Sequence, residues 1–124
     1  MRIFKNRWFI KFAHKEGIAD KKLIEAVKDA EAGKIDVDYG GGVIKQRISR
    51  KNEGKSGGYR SIILFRQGKK AFFVYGFAKN DQNNINKSEE REFKILAQKT
   101  LAISDGNLEI AIKAGIYQEV QNDD

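Results

Sequence analysis

The chain has 124 residues, no cysteine, no proline and one histidine, with 24 lysines and arginines against 17 acids, a net charge of +7. That length suits one domain, residues 1–124, with a core of its own, and the missing cysteines exclude disulfides and thiolate metal sites. The charge is unevenly spread: residues 40–80 hold ten cations and one acid, Glu53, whereas residues 81–124 hold five cations and nine acids.

The opening MRIFKNRWFIKF breaks its apolar residues with Lys5, Asn6, Arg7 and Lys11, so it is not read as a signal peptide. No run approaches the ~20 apolar residues of a membrane helix. A cytoplasmic protein without membrane attachment is expected. The mixture of aromatic and β-branched residues predicts a first strand over about Ile3–Phe12. Asp20 is a candidate cap for a helix through about Ala32, with Leu23, Ile24, Val27 and Ala30 on its buried stripe and Gly33 as its stop.

Tyr39–Gly42 is predicted as a turn or irregular loop. VIKQRI then alternates as a strand, Val43, Lys45 and Arg47 on one face and Ile44, Gln46 and Ile48 on the other. RKNEGKSGG is rich in turn residues and predicts a loop. YRSIILFR, a hairpin around Gly68, and KAFFVYGFAK follow without room for a helical crossover, so the three strands form an antiparallel meander. NINKSEEREF opens a helix capped by Asn86 or Ser88, with Phe93, Leu96, Ala97, Thr100 and Leu101 facing inward. A shorter helix, about Leu108–Ala114, ends at Gly115, and IYQEV is a last extended piece. The class expected is α+β, a small curved antiparallel sheet packed against helices.

The letters GKS in NEGKSGGYR invite a nucleotide reading. A P-loop needs a glycine five residues before the Gly54–Lys55 pair and a helix after it; Ser49 stands at the first position and a strand follows. His14 lies beside Lys15 and Glu16, outside the basic block, and reads as an exposed residue. Asp36 and Asp38 read as an acidic turn in preference to a Mg²⁺ site. The basic block remains. A density of one acid among eleven charges favours contact with a polyanion through counterion release. If the strands pair across the loop, Lys45 and Arg47 stand together and Arg60 lies beside them, with Lys79 after the third strand. Such a surface can cradle phosphates. Tyr75 and Phe77 alternate onto one face of the third strand, where an aromatic ring can stack a base or equally fill the core. RNA carries its own nucleophile, the 2′-OH, so arginines to stabilise the transition state and a lysine as base would suffice for cleavage.

GGVIKQRI, then GKSGGYRSIILF, then KAFFVYGFAKN followed by a helix, resembles the RelE/ParE superfamily of bacterial toxins over about residues 39–103, closest to the RelE and HigB-like type. The resemblance implies a metal-independent endoribonuclease (an mRNA interferase) that needs no cofactor, cuts mRNA in the ribosomal A site, and is silenced by a cognate antitoxin encoded nearby. Position by position, it implies that Lys45 and Arg47 include the general base, Lys45 the better candidate, and that Arg60 stabilises the transition-state phosphate. Lys79 is implied as a second basic group, with Asn80 beside it. Arg50, Lys51 and Lys55 are candidates to grip RNA, and Tyr75 is a substitute for a missing later tyrosine, since the region beyond Asn80 reads DQNNIN. An acidic or amphipathic antitoxin segment is expected to cover the basic face. Two other readings stay open: a DNA gyrase inhibitor of the ParE type, and a non-catalytic nucleic-acid-binding domain.

Overall fold

A computed structural model describes residues 1–50, 54–79, 81–82 and 84–121, with 54–57 as backbone. Its element order is β1 (Arg2–Asn6), α1 (Arg7–Glu16), α2 (Asp20–Glu31), β2 (Val37–Gly40), β3 (Val43–Arg50), β4 (Gly54–Arg66), β5 (Lys70–Ala78), α3 (Lys87–Thr100), α4 (Asp105–Lys113) and β6 (Tyr117–Val120). The six strands form one sheet in the order β2-β3-β4-β5-β1-β6. The meander β3-β4-β5 is antiparallel as expected. The sheet as a whole is mixed, because β1 pairs with β5 in parallel.

The expected first strand is shorter than the pattern suggested, and its second half is a helix. Asn6 ends β1 and accepts the Phe9 N–H at 2.8 Å, capping α1. Gly17, at φ 68°, closes it in a left-handed turn. Trp8, Phe9, Phe12 and Ala13 follow a helical spacing, and Phe9 and Ala13 are buried. His14 is therefore helical, and it is exposed. Asp20 opens α2 but does not cap it; Ala19 occupies that position without a side-chain bond, and the Asp20 carboxylate takes Lys5 Nζ at 3.0 Å. Tyr39 and Gly40 belong to β2, and β4 begins at Gly54, so much of the expected loop is strand.

Helices cover both faces of the sheet. On the first face Ile44, Ile48, Ile63 and Phe73 pack with Phe9 and Ala13 of α1 and Leu23 and Val27 of α2. On the second face Val43, Ile62, Leu64, Phe72 and Phe77 pack with Ala97, Leu101 and Leu108. Leu96, expected inward, is 38% exposed and turns away from this core. A Cβ on Gly76 would stand 2.6 Å from Phe12 Cε2, so the missing side chain lets α1 close on β5. Gly76→Ala is expected to destabilise the fold by about 1–3 kcal/mol through overpacking, read from a denaturant melt.

Asn86 caps α3 reciprocally. Its side chain accepts the Glu89 N–H at 2.8 Å, and the Glu89 carboxylate accepts the Asn86 N–H at 2.9 Å. Asn86→Ala should cost about 1 kcal/mol, measured the same way.

Candidate nucleic-acid site

The β3–β4 register sets Arg47 opposite Arg60 and Lys45 opposite Ile62. Alternation then places Lys45, Arg47 and Arg60 on the second face, in the same rows as Val43, Ile62 and Leu64. Like charges directly across a strand pair repel. A carboxylate brought in from outside the pair relieves this. Asp36, just ahead of β2, lies 3.1 Å from Arg47 Nε, 3.6 Å from Lys45 Nζ and 3.7 Å from Arg60 Nε. Preceding the strand, it is free of the strand's alternation. Asp38 stays exposed and accepts the Gly40 N–H. The two aspartates thus have separate roles, and the acidic-turn reading is corrected for both: Asp38 is a residue of β2 and Asp36 reaches the cations from just ahead of it.

The placement of Asp36 depends on one buried amide. Gln46 accepts the Asp36 N–H at 3.1 Å and donates to the carbonyls of Ala26 and Lys34 at 3.0 and 2.9 Å. It is buried on the face opposite Lys45, so β3 holds the cation on one side and the anion's backbone from the other. Gln46→Leu leaves those three backbone groups without their partner. The expected result is a loss of about 1–3 kcal/mol in a denaturant melt.

The expectation of an open, phosphate-facing pocket needs correction. Lys45 and Arg60 are only 8% and 5% exposed, while the Arg47 side chain is 49% exposed. Mid-sheet positions bury whatever they carry, and a buried charge needs a partner. Burial holds the Arg60 guanidinium below its ordinary pKa; Asp36 acts against that shift and Arg47 adds to it. The way in is from the side. A cavity of about 440 Å³, lined by Lys34, Asp36, Gln46 and Arg47 among others, opens against the carboxylate.

Aromatic residues reach the same face through a bulge. Ile62 opposes Tyr75 and Ile63 opposes Phe73, which leaves Val74 as an extra residue in β5. Strict alternation from Phe73 would send Tyr75 and Phe77 to the first face; the bulge returns them to the second. Phe77 is core. Tyr75 is half-buried, its ring centroid 4.6 Å from that of Trp8 and 6.0 Å from that of Phe93. Its hydroxyl donates to Gln82 at 3.2 Å, and Tyr39, from β2, hydrogen-bonds Asn84. Burial first, then Glu90 and Asp36, pushes the Tyr39 pKa up to about 12, so its hydroxyl keeps its proton. Burial, with Glu89, also raises that of Tyr75.

The profile of the RelE toxin of the RelE/RelB toxin–antitoxin system matches residues 1–120. The chain belongs to the RelE toxin family. Among individually curated proteins, none matches it. Membership makes the chain the toxin half of a toxin–antitoxin pair and implies a cognate antitoxin as partner.

In this RelE-family toxin Lys79 does not join the cation cluster among the described contacts. It is exposed in the turn after β5, its N–H bonded to the Gly58 carbonyl at 3.2 Å. Arg50 serves the other face. Two residues beyond Ile48, it falls on the first face by plain alternation, over the Tyr59 ring at 5.3 Å and beside Lys15 and Lys22. Lys51 and Asn80 lie outside the described residues, as does the side chain of Lys55. The toxin has no helix long and apolar enough to cross a membrane, and no group of three metal-ligating side chains, among the described residues.

Sequence reasoning missed four residues here. Asp36 left no local signal beyond its position as one of the last acids before the basic block. Gln46 had a faint one, a polar residue between Ile44 and Ile48 on the apolar face of its strand. Trp8, 43% exposed and 5.2 Å from the Phe12 ring centroid, was legible in the helical spacing of α1. Tyr39 was hidden by reading β2 as a loop.

Proposed function

We propose that this toxin is a metal-independent, ribosome-dependent endoribonuclease that cuts mRNA by 2′-OH attack. The observation that carries the reading is the convergence of Lys45, Arg47 and Arg60, from adjacent strands, on a single anion. Three side chains that close on one carboxylate can close on one phosphodiester. Arg47 and Arg60 supply guanidinium forks that match phosphate oxygens and strengthen as charge builds in the phosphorane. Lys45 is the candidate base, because its Nζ meets the same carboxylate as the two guanidiniums and would stand beside a phosphate bound there. The 2′-oxygen then bonds to phosphorus, the P–O5′ bond breaks, and the 5′-oxygen leaves on taking up a proton. Trp8 and Tyr75, whose ring centroids are 4.6 Å apart, are our candidates to stack a base. We take residues 1–124 as one toxin domain acting in the cytoplasm, with mRNA, the ribosome and its antitoxin as partners and Arg50, Lys51, Lys55 and Asn80 as secondary RNA contacts.

The test is to add the purified chain to translating ribosomes and map mRNA ends. New 5′ ends at A-site codons are expected. RNA binding without new ends would leave only a non-catalytic platform, and gyrase-dependent DNA breaks would indicate the ParE-type activity instead.

A further inference from the structure

We propose that Asp36 is the resident anion of the phosphate site: its carboxylate stands where a phosphodiester will bind, and the substrate phosphate displaces it. This rests on reading Lys45, Arg47 and Arg60 as the phosphate-binding group. Three independent features of the structure support it.

The first is geometry. Asp36 is at hydrogen-bond distance from Arg47, 3.1 Å, but stands 3.6 and 3.7 Å from Lys45 and Arg60. Hydrogen bonds between nitrogen and oxygen run from about 2.7 to 3.2 Å. A carboxylate has two oxygens in one plane, and here they meet three donors arriving from two strands. A tetrahedral phosphate offers more oxygens over a wider arc and can close all three contacts. The carboxylate holds the cations together in the free protein at longer range than a phosphate could, and Arg60 Nη1 donates besides to the Tyr59 carbonyl at 3.3 Å.

The second feature is support. Asp36 is not an acid that happened to fold onto a basic surface. Its backbone is tied to Gln46, and Gln46 is tied in turn to Ala26 in the middle of α2 and to Lys34. A buried amide that binds the connecting segment at Lys34 and Asp36 and anchors it to α2 through Ala26 fixes where that segment's carboxylate goes.

The third is access. Asp36 and Arg47 both line the cavity of about 440 Å³, so an incoming phosphate meets the carboxylate and the half-exposed guanidinium before it meets Lys45 or Arg60. Displacement needs the carboxylate to swing into that cavity; the sheet itself need not move. The resident anion thereby lowers affinity for stray phosphates and keeps the charged cluster folded when no RNA is present.

The experiment is calorimetric binding of inorganic phosphate to the full chain and to two isosteric variants, Asp36→Asn and Asp38→Asn. Asp36→Asn is expected to bind phosphate at least tenfold more tightly than the unsubstituted chain, and phosphate should raise its Tm by more. Asp38→Asn removes the same charge two residues away and should bind within about twofold of the unsubstituted chain. Equal or weaker binding by Asp36→Asn overturns the proposal, as does an equal gain in both variants, which would mark a general field effect. Should Asp36→Asn not fold, the ¹³C carboxyl resonance of Asp36 in the unsubstituted chain is followed as phosphate is added. It must move; a resonance that stays put at saturation overturns the proposal. The ribonuclease reading is scored separately, by mRNA ends. A tenfold gain in phosphate affinity with no mRNA cleavage supports the resident anion and removes the catalytic reading alone.

Discussion

Arg60→Ala is expected to slow mRNA cleavage on the ribosome by about 10²–10³-fold under single-turnover conditions, the range seen when one preorganised oxyanion donor is removed. Arg60 lies in the middle of β4, with Ile62 and Leu64 of its own strand in the core and Arg47 directly opposite. Burial fixes its guanidinium before substrate arrives, so little reorganisation accompanies the reaction. The substitution leaves Lys45 and Arg47 to share Asp36, so the fold should survive, and a melt alongside the cleavage assay checks this. Arg60→Lys keeps the charge but loses the planar fork, and should recover only part of the rate. A protein that merely binds RNA would behave differently: Arg60→Ala would weaken binding and flatten its salt dependence, with no cleavage to lose. An Arg60→Ala protein that cuts at the unsubstituted rate removes Arg60 from the mechanism.

Phe9→Ala is expected to cost about 3–5 kcal/mol in a denaturant melt. Phe9 is fully buried in α1, its ring 5.1 Å from Phe73 and 5.5 Å from Phe12. Phe73 belongs to β5, so Phe9 joins the first helix to the central sheet. The helix reaches the second face as well, because Trp8 at its exposed start touches Tyr75. Loss of Phe9 should therefore loosen the aromatic platform beside the cation cluster. Cleavage with saturating ribosomes should change far less than stability does, since no catalytic cation is touched. A loss below about 1 kcal/mol would mean that α1 is not packed on β5 as described.

The meander was readable from residues alone because its signals are local. VIKQRI alternates, Gly68 marks its hairpin, and the short connections leave no room for a crossover, so the antiparallel order β3-β4-β5 follows. The pairing of Lys45, Arg47 and Arg60 on one face follows from the same period of two. The Asn86 cap was legible for a similar reason: cap and Glu89 lie three residues apart. Segment 7–16 is ambiguous in sequence because its aromatic residues suit a strand by type and a helix by spacing, and the Asn6 cap and packing on β5 decide for the helix.

Local order, then, was enough to mark out the basic block, the meander that carries it and the three cations brought side by side. Their partner was not within its reach. Asp36 comes from beyond the strand pair, held by an amide on the opposite face, and no period in the chain connects the two. The bulge at Val74 likewise depends on β4 and β5 meeting in space, yet it decides which face Tyr75 joins. Neighbours in sequence set which way a strand's side chains alternate; only packing decides which charges end up buried, and a buried cation takes whatever carboxylate the fold can bring to it.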